Sequence, residues 1–349
     1  MDAKRGRVHT VPPGGGGIDE VSSRGLKSWF RENLPFKIQK QFPDIPSDML
    51  NNPYDGLGIV MAWDDRHQRV FVTKLDVQLK EEYRDQVTIQ GLEFLRTFGE
   101  DETEIIKPYD LTYFEPCSWT AAYSPLAESW VSFYSFTPNY YVEFQNYFST
   151  GINHGDSKGV WNHLLGNNQT FQVFYGKLEP WTIEVPVQTN LQTKMYEDFS
   201  YRLDTRRYQS EFDYGYYKAN FNEIVFYNDR ETTGKLSLVE MTPDDLSLRV
   251  NYPRYQTDRV EVLASLDDYT WSMNYFFDNV RPNHSLPLWL NDPNNVGKEL
   301  NPQALDYRPT IKNVIKGQYL TARLTQNQES RLKFIFEHFV TDSRMRDAY

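Results

Sequence analysis

One cysteine, Cys117, in 349 residues excludes an internal disulfide and any metal site built on several thiolates. The fold must hold by burial. Histidine is scarce as well, with 6 in the chain, and no HExxH pattern or Cys/His cluster occurs. His154 and His163 flank a Gly-rich loop without further ligands, so they read as surface or packing histidines, not a metal pair. The GxSxG, GxxxxGK[ST] and GxGxxG patterns are also missing, which removes the usual signatures of serine hydrolases, P-loop NTPases and dinucleotide binders. No cofactor is expected.

Basic residues are in deficit: Lys and Arg number 37 against 48 Asp and Glu, a formal charge of -11. That balance argues against a duplex-DNA binder, whose affinity comes mainly from clustered Lys and Arg on phosphates. It leaves room for local basic patches, or for a lumen that lets DNA pass without sticking. No run of about 18 apolar residues offers a membrane helix, and MDAKRGRVHT lacks the apolar stretch of a secretory signal. The expectation is no membrane partner. The sequons at Asn168 and Asn283 would matter only in a glycosylating compartment.

Aromatic residues, by contrast, make up 15% of the chain, a composition that favours strands. An all-β fold with minor helix is the expectation. After Pro12, Pro13 and four glycines, IDEVSSRGLKSWFRENL predicts a short helix begun by Ser22 or Ser23, with Leu26, Trp29, Phe30 and Leu34 on one side and Pro35 limiting it. From Leu57, GIVMAWDDRHQRVFVTKLD reads as a hairpin turning at DDRHQ. Asp2-Ala-Lys-Arg-Gly-Arg-Val matches Asp64-Asp-Arg-His-Gln-Arg-Val at Asp, Arg and Val after a shift of 64 - 2 = 62 residues. A third pass from Tyr123 sets Trp130 where Val70 stood, a shift of 130 - 70 = 60. Repeated hairpins at this spacing suggest propeller-like blades carrying insertions. One insertion, near 79–106, is expected to be helical.

Residues 1–188 thus read as a propeller-related β domain. Residues 189–349 read as an antiparallel sandwich or jelly-roll-like domain, in which 222–239, 259–280 and 317–340 each form a strand pair joined by a polar turn. A long Pro/Asn-rich loop, 281–310, interrupts it, and loops of this length are usually functional or partner-bound.

Two adjacent acid pairs, Asp64 with Asp65 and Asp267 with Asp268, are the remaining route to an enzyme, since a glycosidase needs two carboxylates on one cleft. Neighbours on a strand point to opposite faces, so both pairs are better read as turn caps. The densest aromatic window, SWVSFYSFTPNYYVEFQNYFSTG (129–151), is apolar on both strand faces. A sugar platform would leave one face polar; burial between sheets or subunits fits better.

The block SWTAAYSPLAESWVSFYSFTPNYYVEFQNYFSTG, followed by KGVWNHLLG and FQVFYGKLEPWTIEVPV, resembles the tail muzzle proteins, also called tail stabilisation or tail tip structural proteins, of crAss-like gut phages. RGRVHTV, IDEVSSRGLKSWFREN and VFYNDRETTGKLSLV are similar to further segments of those proteins. The resemblance implies a non-enzymatic virion protein at the distal end of a short, podovirus-type tail. Copies in a ring would close the tube and retain DNA and cargo proteins, without binding them specifically, until ejection. Other tail proteins, tube, ring or hub, would adjoin it. Family members are longer, which implies a C-terminal portion made by cleavage or truncation, or a split relative working beside an N-terminal companion chain. Trp130, Phe133, Tyr141, Trp161, Trp181 and Trp289, with Arg206, Arg207 and Arg230 as polar clasps, are the expected packing or interface residues. The alternative is a receptor- or glycan-binding tail adhesin, with or without glycoside hydrolase activity.

Overall fold

The computed structural model describes residues 2–11, 17–99, 102–145, 147–163, 172–188, 193–210, 213–216, 218–240, 261–274, 315–327 and 332–345. Loop 281–310, with Trp289, lies outside the described residues, as do Asn168, Asn283 and the side chain of Arg207. The chain divides into two units, 1–169 with 174–177, and 170–173 with 178–349. Both are built mainly from strands, and the fold is all-β.

In the first unit, β1 (His9–Thr10) pairs with β2 (Asp19–Glu20). Two short helices follow, α1 (Lys27–Asn33) and α2 (Lys37–Gln41). The expected helix start at Ser22 or Ser23 is corrected: Val21–Ser23 is a 3-10 turn, and Gly25 at φ +87° breaks the path before α1 begins. The Ser23 hydroxyl donates back to the Glu20 carbonyl instead of capping α1. The apolar stripe is as expected, with Phe30 and Leu34 at zero exposure.

The centre of this unit is a four-stranded antiparallel sheet of β3 (Gly58–Asp64), β4 (Arg69–Leu75), β10 (Trp119–Ser124) and β11 (Ser129–Tyr134), in spatial order β11-β10-β4-β3. Between β4 and β10 are inserted β5 (Val77–Leu79), β6 (Val87–Gln90), β7 (Glu93–Phe98), β8 (Glu102–Ile106) and β9 (Phe114–Pro116). The expected helical insertion near 79–106 is therefore wrong: β6, β7 and β8 form a meander, and only Glu81–Tyr83 makes a single 3-10 turn. Alternation decides it. Val87 and Phe94 are buried while Thr88, Gln90 and Glu93 face solvent, a period of two that the charged residues mask on first reading. The remaining strands, β12 (Tyr140–Glu143), β13 (Phe148–Ile152) and β14 (Gly159–His163), form a three-stranded sheet.

The central sheet is covered on both faces. Trp119, Tyr123 and Trp130 pack with Phe30 and Leu34 of the α1 region, while Phe71, Ala122 and Tyr134 pack with Phe136, Phe148 and Tyr141. Burial on both sides explains why its strands read as apolar runs.

The three matched segments share one turn geometry. Asp2 and Arg7, Asp64 and Arg69, and Ser124 and Ser129 pair across four-residue turns. In each, the first side chain accepts from the backbone N–H three residues on, Arg5, His67 or Ala127, at 3.1, 3.3 and 3.2 Å. The last turn residue is left-handed every time: Gly6 at +64°, Gln68 at +51° and Glu128 at +49°. The sequence repeat is thus a repeat of turn chemistry, an Asp or Ser acceptor followed by a residue forced to positive φ.

Two short strands, β15 (Val173–Phe174) and β16 (Lys177–Leu178), lie where the units divide in sequence. The second unit is a ten-stranded sheet of β17 (Trp181–Gln188), β18 (Lys194–Ser210), β19 (Asp213–Tyr216), β20 (Glu223–Tyr227), β21 (Leu236–Glu240), β22 (Glu261–Asp267), β23 (Thr270–Asn274), β24 (Lys316–Gly317), β25 (Tyr319–Gln326) and β26 (Leu332–Met345). One face encloses one core, to which alternate residues contribute: Phe199, Tyr201 and Leu203 of β18, Ile224 and Phe226 of β20, and Leu320, Ala322 and Leu324 of β25. β20 with β21 and β22 with β23 are antiparallel neighbours, as the sequence suggests. The third expected pair is not one: β25 lies between β17 and β20, whereas β26 runs along β18. β21 and β22 are parallel, the one such pair among the described strands.

Candidate functional site

The aromatic window 129–151 spans three strands, β11 before the Pro138-Asn139 turn and β12 and β13 after it. Simple alternation would put Trp130 with Ser132 and Tyr134. A bulge overturns this: Tyr123 pairs with Trp130 and Ala122 with Ser132, leaving Val131 without an opposite residue. Trp130 and Phe133 therefore both meet α1, Trp130 against Phe30 at 4.5 Å and Phe133 against Trp29 at 4.8 Å between ring centroids. Tyr134 turns the other way, onto Phe71.

Burial in the window is uneven: Phe136 and Phe148–Gly151 are buried, whereas β11 has no fully buried residue. The Trp130 indole N–H donates to the Val21 carbonyl at 3.0 Å, and Phe136 and Phe148 are 3% exposed. The Tyr141 hydroxyl lies 2.6 Å from Thr73 Oγ1, and burial raises its pKa. Phe133 differs, at 51% exposure, beside Val131 at 47% on the outer strand of the sheet. Phe144, 44% exposed, stacks on Tyr147. The exposed aromatic surface is thus narrow.

Trp161, Trp181 and Arg206 are engaged within their own units. Trp161 donates to the Ser157 carbonyl and packs edge-on to Tyr175. Trp181 packs between Phe221 and Phe334. Arg206 binds Asp204 at 2.6 Å, while Arg230 lies exposed in the turn after β20, 3.7 Å from Asp229.

Both acid pairs sit in turns. Asp64 is 2% exposed and meets His67 Nδ1 at 2.9 Å and Arg69 Nε at 2.8 Å. Burial acts to raise its pKa, but the His67 and Arg69 hydrogen bonds outweigh that and hold it low. Arg69 also donates to the Tyr134 hydroxyl and lies over the Phe71 ring. Asp65 accepts from Trp63 and Gln68. Asp267 ends β22, paired with Thr270, and Asp268 opens the two-residue turn to β23, in which Asp268 and Tyr269 both have positive φ. No three potential metal ligands converge among the described residues. His163 packs flat on Phe148 and its Nε2 lies 2.8 Å from Thr150 Oγ1; burial pushes its pKa down to about 4. His154 stacks on Tyr109 and is also lowered by burial.

One buried polar pair among the described residues carries no sequence motif. Lys74 and Asp76 are both fully buried and in contact. Lys74 Nζ donates to the Asn33 and Pro35 carbonyls at the end of α1, and Asp76 accepts from the Lys37 and Ile38 N–H groups that begin α2. Each charge faces the helix end it suits, a cation at a C-terminus and an anion at an N-terminus. Burial lowers the Lys74 pKa. The signal was present, because Lys and Asp two apart at the end of an apolar strand share one face and must be paired there.

No protein-family model matches the chain, and no curated protein matches it.

Proposed function

We propose that this protein is a structural, non-enzymatic subunit of the distal tail of a short-tailed phage, working in a ring of copies beside other tail proteins and holding DNA and cargo until ejection. The observation that carries this reading is the outer edge of β11, where Val131 and Phe133 stay exposed beside Trp29 while the acid pairs and His163 are committed to turns and packing. An edge strand with apolar side chains invites another chain. The finer architecture belongs to the same proposal. Strands β3, β4, β10 and β11 follow one another across the central sheet as a propeller blade's do, with β5–β9 as its decoration, and the second unit is read as sandwich-like. The likeness of residues 118–187 to tail muzzle proteins supports the placement in the tail.

Purified virions test it. The protein should be found in them by mass spectrometry and as tail-attached rings by electron microscopy. A chain absent from virions, or one that as purified protein binds a glycan array, would replace this reading with that of an adhesin.

A further inference from the structure

Residues 1–31 hold six basic side chains, Lys4, Arg5, Arg7, Arg24, Lys27 and Arg31, and three acidic ones, Asp2, Asp19 and Glu20. That is 6 - 3 = +3 in a chain whose total is -11. The excess is gathered in one place. A cavity of about 300 Å³ is lined by Arg5, Gly6, Arg7, Glu20, Lys27 and Arg31. Four cations thus face one carboxylate, and that carboxylate is already shared: Glu20 lies 3.5 Å from Arg7 and accepts from the Ser22 hydroxyl.

Lys27 and Arg31 stand four apart on α1, on one face, where like charges repel. Neither makes an ion pair or a side-chain hydrogen bond with a described residue. Arg5 has only a long contact to Asp2, 3.7 Å, at 76% side-chain exposure. The arrangement is nevertheless fixed. Gly6 is buried against α1, so close that a Cβ there would lie 2.6 Å from the Arg31 Cα, and its left-handed turn sets Arg5 and Arg7 beside the helix. The backbone holds the four cations together, with Arg7 beside Glu20, Arg5 at a long contact to Asp2, and Lys27 and Arg31 without an ion pair among the described residues.

We propose that this pocket binds a small soluble anion carrying several phosphate charges, such as pyrophosphate or a phosphate ester. Arg supplies planar forks suited to phosphate oxygens, and Lys a point charge. The volume is at the small end of ligand pockets, which suits a compact anion. Binding would relieve the repulsion between Lys27 and Arg31 and tie the N-terminal turn to α1. The site is independent of the tail assignment.

Isothermal titration of the full-length protein with pyrophosphate, at low and at high salt, tests the proposal. Saturable one-to-one binding is expected, weakening as salt is raised. Lys27→Gln and Arg31→Gln should each lower affinity by about tenfold, the order of a charge-assisted hydrogen bond. Pyrophosphate should also raise the melting temperature of the parent protein but not of the double variant. In its absence, Lys27→Gln should melt no lower than the parent, because it removes a like-charge pair. Both residues are exposed, so loss of binding would not arise from unfolding. Absence of saturation, or equal affinity in the double variant, overturns the proposal. So does tighter binding, per phosphate, of a single-stranded oligonucleotide or of anionic lipid vesicles, which would assign the patch to a polymer or a membrane surface.

Discussion

Lys74 Nζ lies 2.5 Å from Asp76 Oδ2 with both side chains at zero exposure, and the pair links the end of α1 to the start of α2. Desolvating both charges offsets much of their attraction, so the pair adds little over a well-packed apolar substitute. Removing one partner is different.

Lys74→Met strands a buried carboxylate and frees the Asn33 and Pro35 carbonyls, and should cost about 3–5 kcal/mol. Lys74→Met with Asp76→Asn should recover part of that loss. Urea unfolding of both variants checks it; a loss under about 1 kcal/mol for the single change would mean that water reaches the site.

His163 sets an acid limit. Its pKa is about 4 in the folded chain against 6.5 ordinarily, so between those values the unfolded chain binds a proton that the folded one refuses. Its contribution is complete above pH 6.5 and is lost as pH falls to about 4. His154 acts in the same direction, and Asp64, held below its ordinary value of 3.8, extends the loss further into acid. His163→Phe should flatten the slope of stability against pH in that window, measured by urea unfolding at several pH values. An unchanged slope would rule His163 out as a main contributor.

Two of the three turns make opposite predictions at their left-handed position. Gly6→Ala forces a Cβ against the Arg31 backbone at φ +64° and should destabilise by about 2 kcal/mol or more. Gln68→Gly, at +51° in a solvent-exposed turn, should be neutral or stabilising by up to about 1 kcal/mol. Thermal melts decide both.

Trp130 and Phe133 separate folding from assembly. Trp130→Ala removes a half-buried ring packed on Phe30 and an indole hydrogen bond, a loss of about 2–4 kcal/mol. Phe133→Ala gives up a half-exposed edge contact with Trp29 and should cost about 1 kcal/mol of stability. Under the tail proposal it should still remove the protein from purified virions. Normal incorporation of Phe133→Ala would take β11 out of the interface.

The repeat at 62 and 60 residues was legible because turn chemistry is local: an Asp or Ser acceptor and a left-handed residue sit within five positions. The strand texture of the second unit was legible for a similar reason, since alternation needs only one strand. Pairing was not. Nothing near β26 says that it joins β18, because register there is set by Phe334 and Phe336 meeting a core whose other members are distant in sequence. The bulge at Val131 hid the sorting of Trp130 and Phe133, as one extra residue inverts every later assignment of face. Charged residues in 79–106 imitated a helix where a small meander forms, and the Lys74–Asp76 pair was visible only as two charges in an apolar run.

The pairing of β17 with β25 and of β18 with β26 also bears on the order of events during synthesis. Leu203 waits for Phe336 and Arg202 for His338, so the long strand opened near residue 194 stays without one neighbour until the ribosome has passed residue 345. The first unit needs no residue beyond Lys177. It is thus expected to fold while the rest is still being made, and the second to close late, with the β18 edge from Lys194 to Arg207 open until then. Expression at lower temperature, or with holdase chaperones, should therefore protect the second unit far more than the first.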